Sequence, residues 1–403
     1  MRVLFLTSRF PADPRSGDRR RACEQLRLLA SRHAVTLLGF DDGGGDPALR
    51  RQLADACEQV VRVPRERTGM LARAALALPG ALPLQVAAHA SPRLRRAFDA
   101  AVGGAAFDLV HVQLSRLGPF VPAAGVLPCV VDFVDALSLN MARRAAFDRG
   151  PARLVAALEA RRLARYERAL CTRITRGVAS SARDLEALGH AANLRLVPNG
   201  VDPAEFAFTD APRDESSIVF SGNLGYFPNV DAMAWFAALM PRIRAARPTA
   251  ELRLVGARPA ARLLRLAART PGMRVVGPVA RIQPHLARAA VAIAPMRAGS
   301  GQQLKILEAM ATGTPVVASA TAAAAIEARP GRELLVADDA DGFVDAVLRV
   351  LGDRALAAAL ARNARDLVER RYTWRASALA LEQVWQEAVE AHARHARADA
   401  GAC

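Results

Sequence analysis

Short apolar runs alternate with longer amphipathic stretches along the whole chain. Residues 3–7 form a continuous apolar run, as is typical of a strand buried on both faces, and residues 18–33 carry apolar side chains at helical spacing. The alternation restarts after the polar segment 210–216. The runs predict strands at residues 3–7, 35–40, 59–63, 109–113, 129–133, 177–181 and 194–198, and then at 218–222, 251–256, 273–279, 291–296, 315–320 and 334–338.

Two successive sets of alternating strands and helices predict an α/β fold with two Rossmann-like domains and mostly parallel sheets. Turn-forming residues at 199–203 mark the boundary between the sets. Ligands of such sheets bind at the carboxyl ends of the strands, so chemistry is expected in the loops that follow them. We predict one domain at residues 1–198, a linker at 199–216, a second domain at 217–372, and a crossover helix and tail at 373–403 that is frayed from His395 onward.

Size and composition agree with this organisation. The 403 residues exceed what one hydrophobic core holds, and 52% hydrophobic with 23% charged residues is the balance of a folded globular protein. No apolar run is long enough to span a bilayer, and the first six residues are expected to form a strand rather than a targeting segment. Five cysteines at irregular spacings indicate reduced thiols and a cytoplasmic location.

Positive charge limits the choice of partners. The formal net charge is +16, and Lys305 is the one lysine in an arginine-rich sequence. Such a surface attracts anionic lipid, nucleic acid or phosphorylated substrates. The arginine-rich stretches 62–73 and 143–176 are expected either to rest on an anionic membrane or to form a solvated face. Nucleic acid is not predicted, because aromatic residues make up 5% of the chain and are not interleaved with the arginines.

The segment from residue 298 to residue 319 has the strongest chemical pattern. It follows a predicted strand and opens a helix near Gly301 that ends at Gly313. Amides at a glycine-preceded helix start form an anion site, and Lys305 adds an ammonium group beside it. Glu308 lies on roughly the same helix face and suits the hydroxyls of a ribose. The alternative is a solvated Lys–Glu pair, worth roughly a few tenths of a kcal/mol.

The pattern Gly-x-x-x-Lys-x-x-Glu-Ala-Met-Ala-x-Gly-x-Pro-Val-Val-Ala-Ser at residues 301–319 resembles the donor-binding signature of glycosyltransferase family 4. Members of that family are retaining transferases with the two-Rossmann B fold. Residues 220–256 are similar to the start of the family's second domain, and residues 197–202 to its interdomain linker. Residues 9–18 and 132–135 are similar to a bacterial subgroup that serves exopolysaccharide loci associated with exosortase systems.

This resemblance implies roles for named residues. The first domain is expected to face the acceptor and the second to bind a nucleotide sugar, across a cleft. The diphosphate is expected at the helix start. The resemblance implies that the C-terminal helix packs back on the first domain, whereas its sequence alone suits a terminal cap equally well. Catalytic roles are implied for Lys305, Asp135 and Arg297. The residues expected to bind the donor are Gly17, Gly222, Asn223, Ser300, Gly301, Gln302, Gln303, Lys305 and Glu308.

The sequence departs from the family pattern at two places. Ser300 stands where many relatives have a glutamate, and the loop 222–226 lacks the Arg and Lys that often clamp the diphosphate. Arg297 is either the substitute clamp or a surface arginine. Asp135 stands where relatives often have a histidine, and it either meets the sugar or acceptor or caps the following helix.

The expected function is a retaining glycosyltransferase that moves a sugar from a nucleoside-diphosphate sugar to a growing, lipid-linked polysaccharide. We expect it in the cytoplasm or on the inner face of the plasma membrane. Neither a metal nor a cofactor is predicted, because histidine ligand spacing and a DxD motif are missing, and His111 is expected to be a core residue. The alternatives are a nucleotide-sugar epimerase, against which Ser300 argues, and a catalytically silent nucleotide-binding scaffold of a polysaccharide locus.

Overall fold

A computed structural model describes residues 1–13, 16–123, 125–298 and 301–401 of the chain, with side chains as far as residue 397. The chain divides into two compact units. Unit 1 comprises Met1–Pro198 together with Arg375–Cys403, and unit 2 comprises Asn199–Trp374. The last helix therefore belongs to the fold of the first unit, although it follows the second unit in sequence.

Unit 1 is built on a parallel sheet. Its strands are β1 (Arg2–Thr7), β2 (Ala34–Asp41), β3 (Gln59–Pro64), β4 (Leu109–Gln113), β5 (Cys129–Val134), β6 (Arg176–Ala179) and β7 (Leu194–Leu196). Among the described residues the strand order is β3-β2-β1-β4-β5-β6-β7. The helices are α1 (Gly17–Leu29), α2 (Pro47–Ala56), α3 (Arg67–Leu76), α4 (Leu84–His89), α5 (Pro92–Gly104), α6 (Leu137–Phe147), α7 (Pro151–Cys171) and α8 (Ala182–Ala187), with a 3-10 helix at Ser115–Phe120.

Both faces of this sheet are covered, which explains the unbroken apolar run of β1. Leu4 and Leu6 point to one face and join a core that includes Phe133. Val3 and Phe5 point to the other face, where the C-terminal helix supplies part of the core. A parallel sheet needs this two-sided burial, because its crossover helices lie on both faces.

Unit 2 repeats the same architecture. Its strands are β8 (Asp214–Ser221), β9 (Glu251–Val255), β10 (Met273–Gly277), β11 (Ala289–Ala294), β12 (Val316–Ala318) and β13 (Leu335–Val336). In the described part of the chain they pair in parallel in the order β10-β9-β8-β11-β12-β13. The helices are α9 (Phe227–Ala237), α10 (Met240–Ala246), α11 (Ala261–Arg269), α12 (Gln283–Arg288), α13 (Leu304–Ala311), α14 (Ala320–Ala323), α15 (Ala340–Gly352) and α16 (Arg354–Arg371). The final helix of the chain is α17 (Trp374–Gly401).

Each strand predicted from the sequence is found, and the predicted α/β fold is confirmed. Some boundaries differ. β8 begins at Asp214, inside the stretch predicted as linker. α17 is helical as far as Gly401, and the frayed end from His395 stays a prediction. The alanines of this stretch favour the helix, because alanine has the highest intrinsic helix propensity.

A helix that crosses a bilayer needs about 20 consecutive, predominantly apolar residues. Within the described residues, no helix is both long and apolar enough to cross a membrane.

Candidate functional site

The helix that carries the candidate donor site starts later than the sequence suggests. α13 begins at Leu304 with Gln303 as its N-cap residue, so Gly301 precedes the helix and Lys305 is its second residue. Just before the helix, Gln302 Oε1 accepts a hydrogen bond from the Asn199 amide at 2.7 Å. Among the described residues no side chain caps this helix start. Its first-turn amides point toward the carboxyl end of the sheet and are suited to bind an anion.

The Lys305 ammonium group is partly buried at the end of the sheet. Nζ donates a hydrogen bond to Asn229 Oδ1 at 2.7 Å and lies 4.0 Å from the centre of the Phe220 ring. Burial lowers the pKa of Lys305 to about 7, and the charge of Glu308 on the same helix only partly opposes the shift. In the described part of the chain Lys305 forms no ion pair within 4 Å. An added anion would therefore stabilise the ammonium form.

The loop after β8 approaches this ammonium group. A side chain at Gly222 would meet the Asn229 amide nitrogen at 3.1 Å and Lys305 Nζ at 3.4 Å. Asn229 Nδ2 also donates to the carbonyl oxygen of Asn223 at 2.8 Å. The structure thus brings together three of the residues predicted to bind the donor, Gly222, Asn223 and Lys305, and it keeps the space above Gly222 free of a side chain.

The remaining predicted donor residues of unit 2 lie along the same segment. Gly301, Gln302 and Gln303 form the turn into α13, and Glu308 follows Lys305 by three residues on the helix. Gln302 is buried and holds the Asn199 backbone, which is a structural contact. Ser300, which stands in place of a carboxylate, lies outside the described residues.

Arg297 is held by an aspartate. Its Nη2 and Nε donate to the two carboxylate oxygens of Asp231 at 2.7 and 3.1 Å, and the Arg297 side chain is 47% exposed. This fork-shaped pair ties the loop after β11 to α9. The role of Arg297 as a phosphate clamp stays a prediction, and the guanidinium would have to share its donors with Asp231.

Asp135 follows β5 in unit 1 at a strained backbone position. Val134 before it has a φ of 61°, and the pairing of β5 with β6 shifts between Asp132 and Val134. The N-cap of α6 is Ala136, so Asp135 is not the helix cap considered as its alternative role. Burial, and then the nearby charge of Asp184, raise the pKa of Asp135, which accepts a hydrogen bond from Ser180 Oγ at 3.2 Å. A raised carboxyl pKa next to backbone strain is common in functional sites.

Gly17 is the first residue of α1, after the loop that follows β1. It is exposed, and the next residue, Asp18, pairs with Arg9 at 2.6 Å. Gly17 thus lies at the carboxyl edge of the first sheet. Its predicted approach to the donor phosphate stays a prediction.

The sequence did not indicate a role for one polar residue that the structure places beside Lys305. Asn229 lies within residues 220–256, where the sequence pattern assigned it no role of its own, yet it binds both Lys305 and the loop of Asn223. An asparagine in the first turn of the helix that follows a Gly-Asn loop is the signal that was available. His111 is a core residue as expected, and its Nδ1 accepts a hydrogen bond from Trp385 Nε1 at 3.1 Å.

A metal centre needs several ligating side chains close together. Across the residues that the structure describes, no group of three or more His, Cys, Asp or Glu side chains could hold a metal ion. Metal-independent chemistry stays a prediction.

Comparison with known proteins shows what this chain is similar to. The family model described as glycosyl transferases group 1 matches residues 215–353, which lie in unit 2. A phosphatidyl-myo-inositol mannosyltransferase from Mycolicibacterium smegmatis is 32% identical over 212 residues, which cover 50% of this chain and 53% of that protein. The chain thus spans about half the length of the curated relative that it matches.

Solved structures match nearly the whole chain. Sucrose-phosphate synthase from Thermosynechococcus elongatus superposes with a TM-score of 0.70 at 20% identity, covering 96% of this chain and 98% of that one. HepE from Anabaena, in complex with UDP and glucose, superposes with a TM-score of 0.66 at 16% identity, covering 96% of this chain and 99% of that one. WaaG, a glycosyltransferase involved in lipopolysaccharide biosynthesis, superposes with a TM-score of 0.65 at 17% identity, covering 95% of this chain and 98% of that one.

These matches confirm the predicted two-Rossmann B fold and the resemblance to glycosyltransferases. The link to exopolysaccharide loci stays a prediction. The family match lies within unit 2, and the chain as a whole has the glycosyltransferase B fold.

Proposed function

We propose that this protein is a retaining glycosyltransferase that moves a sugar from a nucleoside-diphosphate sugar to an acceptor hydroxyl. The observation that carries the proposal is the Lys305 ammonium group at the uncapped start of α13, held by Asn229 beside the bare backbone of Gly222. The amides and the ammonium group suit a diphosphate. Glu308 on the same helix would accept hydrogen bonds from the ribose hydroxyls.

In this mechanism Lys305 and the α13 amides stabilise the charge that develops on the leaving diphosphate. The bond from the sugar's anomeric carbon to the diphosphate oxygen breaks, and a bond to the acceptor oxygen forms on the same face. The acceptor proton passes to the departing oxygen or to a carboxylate. Asp135 is our candidate for that carboxylate, because burial raises its pKa toward the range useful for proton transfer.

Two relatives support a nucleotide-sugar donor and a lipid-linked acceptor. HepE is similar in fold and was solved with UDP and with UDP-glucose. The mannosyltransferase from Mycolicibacterium smegmatis is named for phosphatidyl-myo-inositol, a lipid. We extend these features to this chain as a proposal, with a growing polysaccharide of an exopolysaccharide pathway as the acceptor.

Lys305 provides the decisive test. The donor nucleotide is first identified by a thermal-shift screen of UDP, GDP, ADP and dTDP sugars, since a ligand of the folded state raises the midpoint. Lys305→Met keeps the side-chain volume but removes the charge, and we expect at least about tenfold weaker nucleotide binding, measured by calorimetry, with loss of sugar transfer.

Arg274→Ala is the matched control, because Arg274 is an exposed cation of unit 2 on β10. Unchanged binding and transfer in Lys305→Met would contradict the proposal. Nucleotide binding without any turnover in the unmodified chain would favour the catalytically silent scaffold. Asp135→Asn should lose transfer while it keeps nucleotide affinity.

We also propose that unit 1 rests on an anionic membrane as a peripheral protein of the cytoplasmic face. The arginine-rich helices α3 and α7 leave large apolar side chains in solvent, with Leu71 72% exposed and Leu154 73% exposed. Leucines flanked by arginines insert into the headgroup region while the arginines meet anionic lipid, each basic residue contributing about 1 kcal/mol.

Vesicle co-sedimentation tests this second proposal. The chain should bind vesicles of phosphatidylcholine with phosphatidylglycerol, and high salt should weaken binding. Leu154→Asp should lower the bound fraction. Leu264→Asp should not, because Leu264 is an exposed leucine of unit 2, 48% accessible. Equal binding of both variants would contradict a membrane face at α7.

A further inference from the structure

A group of arginines lies at the carboxyl edge of the sheet of unit 1. Arg9 follows β1, Arg19 lies in the first turn of α1, Arg65 follows β3, and Arg116 lies in the 3-10 helix after β4. We call these four residues the arginine cluster. The chain runs from β1 outward to β3 and returns to place β4 on the other side of β1, so the cluster lies at the switch point of the sheet. Ligands of parallel sheets bind at such points.

Carboxylates neutralise only half of this cluster. Arg9 pairs with Asp18 at 2.6 Å, and Arg19 pairs with Asp13 at 3.3 Å and more loosely with Asp42 at 3.9 Å. Arg65 and Arg116 have no carboxylate within 4 Å in the described residues. Within the described residues, these two guanidinium groups therefore form no close ion pair, and Asp18 and Asp42 act on Arg116 and Arg65 only from a longer distance.

The two unpaired guanidinium groups are also close to other cations. Burial, together with the charges of Arg9 and Arg65 and against the opposing charge of Asp18, lowers the pKa of Arg116 to about 10. Burial lowers the pKa of Arg65 as well, with Arg9 and Arg19 adding to the effect. Like charges this close are repulsive unless an anion lies between them.

Buried polar atoms without partners surround the cluster. Among the described residues Arg116 Nε has no hydrogen-bond partner, nor do Ser8 Oγ and His89 Nε2, whose residues are 1% and 4% exposed. His89 Nδ1 donates to the carbonyl oxygen of Gln85 at 2.8 Å, so Nε2 of the neutral ring is an acceptor. A phosphate hydroxyl would satisfy that nitrogen, and phosphate oxygens would satisfy the hydroxyl and the guanidinium groups.

We propose that the arginine cluster, with Ser8 and His89, binds a phosphate or diphosphate group carried by the acceptor substrate. Planar guanidinium groups bind phosphate oxygens in pairs, and Arg65 and Arg116 supply the unused donors. The inference rests on the proposed transfer function, because it assigns unit 1 the acceptor. Two sources share this chemistry: a lipid diphosphate in a membrane and a soluble sugar phosphate.

Calorimetry on the full chain tests the site. Inorganic diphosphate is titrated into Lys305→Met, in which the donor site lacks its ammonium group, and we expect binding. Adding Arg116→Gln should weaken that binding at least tenfold. Arg96→Gln is the control, since Arg96 is an exposed arginine of α5 in the same unit. Arg65→Gln, at a loop position, provides a second test if Arg116→Gln does not fold.

Two further titrations distinguish the sources. Stronger Arg116-dependent binding of glucose 6-phosphate assigns a soluble acceptor. Stronger binding of phosphatidylcholine vesicles that contain a polyprenyl diphosphate, compared with phosphatidylcholine alone, assigns a lipid acceptor. Equal diphosphate affinity in the Arg116→Gln, Arg65→Gln and Arg96→Gln variants overturns the proposal, as does absence of binding to all three probes. A UDP titration of the unmodified chain reports separately on the proposed function, because it depends on Lys305 and not on Arg116.

Discussion

Burial of Lys305 costs the ammonium group part of its hydration, and this cost explains why the donor site favours a bound anion. The side chain exchanges water for the amide oxygen of Asn229, a weak contact of 3.8 Å with Met296 Sδ, and the face of the Phe220 ring. Its pKa falls to about 7 because these contacts replace hydration only in part. A bound diphosphate supplies the missing counter-charge, so binding and protonation of Lys305 are linked.

Nucleotide binding should therefore depend on pH. Above about pH 7 the unbound folded chain loses the Lys305 proton, and binding must take it up again. Affinity should fall by up to about tenfold per pH unit above that point. Calorimetry at pH 8 in two buffers of different ionisation enthalpy should show uptake of nearly one proton. Lys305→Arg, which stays charged, should show none, and uptake in that variant would contradict the assignment to Lys305.

The same shift has a consequence for stability. The pKa of Lys305 is lower in the folded chain than in the unfolded chain, so the unfolded state binds more protons between about pH 7 and pH 10. Burial of this lysine thus destabilises the fold below about pH 7, and the destabilisation is relieved as the pH rises from about 7 to about 10. A site that costs stability in this way fits a functional role better than a structural one.

Whether the sequence predicts a residue of this site depends on how far along the chain it lies from the residues that it contacts. Lys305 and Glu308 share one helix, so their spacing alone indicates a common face. Asn229 is 76 residues away from Lys305, and the pairing depends on the meeting of two strand ends. The arginine cluster is missed for the same reason, because its members follow different strands. In an arginine-rich sequence, single arginines carry little signal.

Among the elements, the ends of β8 and β9 form the tightest contact of the donor site. Gly256 follows β9 with a φ of 152°, and a Cβ there would lie 1.7 Å from the carbonyl oxygen of Gly222. Gly222 in turn lies against Lys305. A glycine at 256 is therefore required for the close approach of the two loops.

Gly256→Ala should push the Gly222 loop away from Lys305. We expect a loss of about 1–3 kcal/mol in stability from the steric clash, with weaker nucleotide binding, measured by denaturant unfolding and calorimetry. Gly277→Ala is the matched control, because Gly277 also has a positive φ of 83° but no atom within 4 Å of the place that a Cβ would occupy. Equal losses of nucleotide affinity in the two variants would contradict the role of the loop contact.

The elements themselves are largely predictable from the sequence. Each strand is a short apolar run bounded by turn residues, and this information is local. The exact start of α13 is harder to predict, because Gln302 just before it contacts the Asn199 amide, which lies 103 residues away in the chain. The sequence therefore predicts the presence of this helix but places its start three residues too early.

In the whole molecule, the C-terminal helix completes the core of unit 1. Trp385 is fully buried, stacks edge-on against Phe5 at 6.5 Å and donates a hydrogen bond to His111. Glu382 on the same helix pairs with His33 at 2.8 Å. The sequence alone left open whether this helix packs on the first domain or forms a terminal cap, because both uses need the same amphipathic pattern.

Trp385→Ala should therefore destabilise unit 1 although the residue follows unit 2 in sequence. Removing the ring leaves a cavity and an unpaired His111 nitrogen, so we expect a loss of about 3–5 kcal/mol. Hydrogen exchange should rise in β1 to β7 and stay unchanged in β8 to β13. Leu379→Ala, at a position of the same helix that is 39% exposed, should change stability by no more than about 0.5 kcal/mol. Faster exchange in both units to the same extent would show that the helix does not belong to the core of unit 1 alone.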